Sequence, residues 1–173
     1  MRFTLSSLVL ILSITVATAD VSAADEKVNC QKGRCSVLFP AKPKLESSKN
    51  NEQYVLSEDN GKKGYVLNVS MFNSKINLQD EEKVKKALDT AYLGTKASLG
   101  GTKASKMLKS TIGTDKLPTR YYEFTLDDGG IYYTRHVLRE DCLIQITISG
   151  PLVWAKGEQA QAFMKSLRVE AGK

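Results

Sequence analysis

One histidine, one tryptophan and three cysteines in 173 residues leave little material for catalysis. Hydrolytic triads and most zinc sites recruit histidine as base or ligand. The single His136 falls mid-strand, in phase with Tyr132, Thr134 and Leu138. No spacing of cysteine or carboxylate around it completes either kind of site, so it reads as a histidine satisfied within a strand. Glycine patterns that cradle phosphate are missing too, since neither Gly100-Gly101 nor any other cluster has the required spacing. Cys30 and Cys35 are separated by four residues, which is not the redox Cys-x-x-Cys. Asp127-Asp128-Gly129-Gly130 lacks the alternating oxygen ligands and closing glutamate of a calcium loop and reads as a hairpin turn. The expectation is a non-enzymatic protein with no metal and no cofactor.

A membrane-spanning run is also missing. The apolar stretch from Leu8 to Val16 is about half of the ~20 residues that a span requires. With Arg2 before it and the small-residue patterns Ala17-Thr18-Ala19 and Val21-Ser22-Ala23 after it, residues 1–23 read as a signal peptide cleaved after Ala19 or Ala23. No cysteine directly follows either site, so no lipid anchor is expected. Residues 24–173 then form a single domain of ordinary size, exported to the periplasm or secreted. Asn68-Val69-Ser70 is formally a glycosylation acceptor, but it lies inside a strand.

The net charge of +6 at pH 7 makes contact with an anionic lipid or glycan physically easy. No nucleic acid is expected as a partner. In an exported chain the cysteines invite a disulfide. Cys30 and Cys35 bracket Gln31-Lys32-Gly33-Arg34 and are the favoured pair; Cys30 or Cys35 with Cys142 is the alternative. Otherwise Cys142, in phase with Ile144, Ile146 and Ile148, packs as a small buried hydrophobe.

Period-two patterning and turn residues predict strands over 36–39, 53–57, 64–72, 105–112, 120–126, 131–138 and 142–149. Val84, Ala87, Leu88, Ala91 and Tyr92 recur at helical spacing within 79–99, with Asn77 or Asp80 as cap and Gly100-Gly101 as stop. A second helix is predicted from about 156 to 167, with Ala160, Phe163, Met164 and Leu167 on one face. The order gives an α+β fold, an antiparallel sheet of about six to seven strands with both helices on one face.

Three segments carry a resemblance. Val37-Leu38-Phe39-Pro40-Ala41-Lys42-Pro43 is similar to the "FPxKP" opening of a group of small exported bacterial proteins of unknown function, and Gln161 to Val169 to their "FxxSF" closing helix-to-strand segment. Arg135 to Leu138 and Leu143 to Gly150 resemble the paired strands that precede that helix. Leu167 stands where an aromatic is usual, Ile144 where a tyrosine is, and the cysteines lie outside the pattern. Such proteins resemble the PsbP-like fold, an antiparallel sheet sandwiched by helices. The resemblance implies an α/β/α sandwich and a protein that acts by docking.

The remaining cluster is aromatic and basic. Arg120, Tyr122, Tyr133, Arg135 and Arg139 fall on two adjacent predicted strands. Alternation puts Arg120 and Tyr122 on one face of their strand, opposite Tyr121. It puts Tyr133, Arg135 and Arg139 on one face of theirs, opposite Tyr132 and His136. Tyrosine and arginine are enriched at the energetic centres of interfaces. These five are the predicted interaction surface for a protein partner in the envelope or extracellular space.

Overall fold

The computed structural model describes residues 25–170, so the signal-peptide segment lies outside the described residues. Two antiparallel sheets form. The smaller joins β1 (Glu26–Cys30), β2 (Cys35–Phe39) and β10 (Arg168–Val169), in the order β1-β2-β10. The larger contains β3 (Lys44–Ser47), β4 (Asn51–Glu58), β5 (Lys63–Met71), β6 (Lys106–Ile112), β7 (Leu117–Thr125), β8 (Gly130–Leu138) and β9 (Cys142–Pro151). Its order is β3-β4-β5-β9-β8-β7-β6. The helices are α1 (Glu81–Ser98), α2 (Leu152–Ala155) and α3 (Glu158–Ser166). The predicted second helix forms as α3, N-capped by Gly157, whose N–H is donated back to the Trp154 carbonyl; the short α2 just before it is not predicted by the sequence pattern.

The large sheet reads as five hairpin connections and one crossover. Asp128 accepts a hydrogen bond from the Gly130 N–H and Gly129 takes a positive φ, which closes the tight turn between β7 and β8. The long connection from β5 to β6 contains α1, capped by Asp80 through the Lys83 N–H. Gly100 and Gly101, both at positive φ, end it.

One face of the sheet is apolar: Tyr65, Leu67 and Val69 of β5 stand beside Ile148, Ile146 and Ile144 of β9, all buried. Over them lie α2, α3 and the small sheet, with Phe163 against Phe39 (ring centroids 4.8 Å) and Tyr65 (5.2 Å). Gly150 is required here, because a Cβ would stand 2.7 Å from the Trp154 ring that packs on Tyr65. α1 lies on the opposite face. The expectation of both helices on one face is therefore corrected, and the sandwich implied by the resemblance is what forms. The reason is register: Tyr133 and Thr134 point to opposite sides of β8, and α1 packs over the even-numbered positions.

Neither layer covers its whole face. α1 sits over β7 and β8; α2, α3 and the small sheet sit over β4, β5 and β9. On the α3 face, half-buried Tyr121 and Arg135 lie among buried Leu117, Thr119, Ile131, Tyr133 and Val137. Edge strand β6 is exposed over nearly its whole length.

Candidate docking face

The five residues of the predicted surface divide between the two faces. Arg120 and Tyr122 lie beneath α1 and are buried. Arg120 is ion-paired with Asp89, which Lys85 also holds at 2.7 Å. Tyr92 stacks on Tyr122 (centroids 5.0 Å, 24° between planes), and Tyr122 meets the His136 ring edge to face at 5.3 Å. Thr95 on α1 completes the seat, its hydroxyl 3.3 Å from His136 Nε2. This cluster fastens the protein's own helix and offers nothing to an outside partner.

Electrostatics follow from that burial. Burial works against the Arg120 charge, but Asp89 outweighs it and raises the guanidinium above its ordinary range. Lys85 and Arg120 together hold Asp89 below the usual carboxylate range. Burial, with the Arg120 charge nearby, lowers His136 to about 4.

Tyr133, Arg135 and Arg139 do not form an open surface either. Tyr133 is buried and Arg139 is 4% exposed. Arg139 donates to the Glu170 carbonyl at 2.8 Å and lies 3.6 Å from Asp141, so it ties the end of β8 to the C-terminal segment. Of the five, Arg135 alone is half-buried, and it has no ion pair among the described residues. Burial lowers its pKa from the guanidinium range.

The register shows what surrounds Arg135. Leu108 of β6 pairs with Tyr121 of β7, Tyr121 with Arg135 of β8, and Arg135 with Ile146 of β9. Exposure falls along this row, from Leu108 at 49% through half-buried Tyr121 and Arg135 to fully buried Ile146. Tyr121 lies 5.9 Å from Tyr133 beneath it, and burial pushes its phenol up to about 12. The row lies on the α3 face, half-buried at Tyr121 and Arg135 and exposed at Leu108. Alternation identified Tyr121 only as opposed to Arg120 and Tyr122; pairing it with Arg135 required the register between the strands.

Cys30 and Cys35 are direct cross-strand partners, as the hairpin spacing predicts, but all three cysteines are free thiols. Facing each other across the hairpin, the two thiols perturb one another: Cys35 lowers Cys30, while Cys30 and burial raise Cys35. Burial pushes the Cys142 thiol up to about 12. Iodoacetamide at about pH 8 is therefore expected to label Cys142 only when the chain is unfolded, because the thiolate is the nucleophile. Mass-spectrometric mapping of native and denatured samples checks this; rapid native labelling would contradict a buried Cys142.

No protein-family model matches the chain, and no curated protein matches it. Solved structures do. One is the solution structure of cyanobacterial PsbP (CyanoP) from Synechocystis sp. PCC 6803, at 11% identity and a TM-score of 0.61, spanning 86% of this chain and 94% of that one. The fold is PsbP-like. At that identity the likeness carries architecture and no residue roles.

Proposed function

We propose that the chain is an exported, non-enzymatic binding or assembly module that docks a protein partner of the envelope or extracellular space. The contact is the row Leu108, Tyr121 and Arg135, with the exposed β6 edge beside it. The single observation that carries this is Arg135, a half-buried guanidinium with no carboxylate partner among the described residues, between an aromatic ring and the core. A charge in that position has already lost much of its hydration, so an incoming carboxylate gains a charge-assisted hydrogen bond at reduced cost. Leu108 supplies exposed apolar area, and edge strand β6 presents unpaired backbone groups, with Lys106 and Lys109 guarding it against indiscriminate pairing.

The test is retention of the native partner from an envelope extract by the tagged protein. Arg135→Glu and Leu108→Asp are each expected to reduce retention about tenfold or more while the melting temperature stays near wild type. Undiminished retention by both variants would overturn the reading.

A further inference from the structure

A second feature is independent of the docking face. Along one flank of α1 runs a groove of about 710 Å³, within the range of small-molecule sites. Its floor is half-buried apolar surface: Phe72 and Ile76 from the connection after β5, Ala87 and Ala91 from α1, and Leu143 from β9. Its rim bears Lys75, Lys83 and Lys86 beside the uncharged Ser74, Asn77 and Thr90, and among the described residues no acidic one lines it. The groove on the other flank of α1 is mixed in charge, with Glu81 and Glu82 facing Lys85, Lys109 and Arg120. The helix therefore presents a purely basic flank to one groove only.

Both walls are fixed. The connection is tied to the β8–β9 turn by hydrogen bonds from the Phe72 N–H to the Asp141 carbonyl (2.8 Å) and from the Ile76 N–H to the Glu140 carbonyl (2.7 Å). The helix wall is held by Thr95 on His136 and Asp89 on Arg120. The rim charges are available. Lys83 and Lys75 meet Asp80 at 3.0 Å and Glu140 at 3.5 Å in solvent-exposed pairs, which are weakly held. Lys86 has no ion pair among the described residues.

An apolar floor whose charged lining residues are all cationic is the complement of an anionic amphiphile. An acidic peptide would need polar anchors along the floor for its backbone, whereas an acyl chain needs none. We infer that this groove binds a single long-chain fatty carboxylate, its chain against Phe72, Ile76 and Leu143 and its head group between Lys83 and Lys86.

Titration of the mature protein with oleate, followed by calorimetry, tests this, with oleyl alcohol and phosphatidylglycerol vesicles as comparison arms. Oleate below its aggregation threshold is expected to bind at one site. Lys83→Glu combined with Lys86→Glu, and separately Ala87→Trp to fill the groove, should each weaken binding about tenfold, and oleyl alcohol should bind about tenfold more weakly than oleate. Circular dichroism melting confirms that each variant is folded; both lysines are exposed, so the pair keeps the test valid should the tryptophan variant unfold. Equal binding of the alcohol, oleate binding that survives the lysine pair, or binding to vesicles alone would each overturn the inference.

Discussion

Replacing Arg120 by glutamate is expected to destabilise the fold by about 3 kcal/mol, whereas the same change at Arg135 leaves stability nearly intact. Both arginines adjoin Tyr121, Arg120 along β7 and Arg135 across the ladder from β8, yet the packing treats them differently. Arg120 is buried beneath α1, and glutamate there would face Asp89 with like charge in a site that excludes water. Breaking a buried ion pair typically costs about 3–5 kcal/mol; the lower end applies because the Asp89 side chain is 40% exposed. Arg135 has no ion-pair partner to lose among the described residues. Urea unfolding of both variants checks this: a lowered midpoint for Arg120→Glu alone supports the assignment, and equal losses in both would contradict it. Charge reversal of the two arginines together would therefore confuse a folding defect with a docking defect.

The second large effect is on acid stability. His136 is fully buried and its pKa is lowered to about 4, below the ordinary value of 6.5. Between those values the unfolded chain binds a proton that the folded chain does not, so folding becomes less favourable as pH falls through that window. Above 6.5 both states are neutral and the penalty is absent; below 4 both are protonated and it stops growing. From pH 7.5 to 4.5 the loss amounts to about 2.5 kcal/mol by linkage. Asp89, held below its usual range, also favours the folded state until the pH falls through its folded value, so total acid sensitivity is not the readout. The difference between wild type and His136→Gln is. Denaturant unfolding at pH 7.5 and 4.5 should show the loss shrinking by about that amount in the variant; an unchanged loss would mean that His136 is protonated in the folded state.

Much of the architecture is legible in the sequence because it rests on local periodicity. The β7 to β9 meander, α1 with its glycine stop, and the division of Tyr121 from Arg120 and Tyr122 follow from alternation and turn residues. The missed strands are those that periodicity cannot mark. β3 is four exposed residues held only by its pairing with β4, and β1 buries only Val28 and Cys30. Nor does alternation reveal which face α1 covers, because that depends on where the crossover from β5 returns it. Four of the five predicted surface residues are therefore buried: Arg120 and Tyr122 by α1, Tyr133 under the Tyr121 ring, and Arg139 by contact with Glu170, 31 residues away. What survives is one arginine of the five, together with two neighbours, Leu108 and Tyr121, that the register supplies.

Site-specific photo-crosslinking tests the central claim most directly. A photoreactive residue at position 108, on the Arg135 side of the sheet, is compared with one at position 107, its exposed neighbour pointing to the α1 side. The account predicts a crosslink to a single partner from position 108 and none from 107, with the adduct lost when Arg135→Glu is added. Equal crosslinking from both positions, or an adduct at 108 that persists with Arg135→Glu, would contradict it.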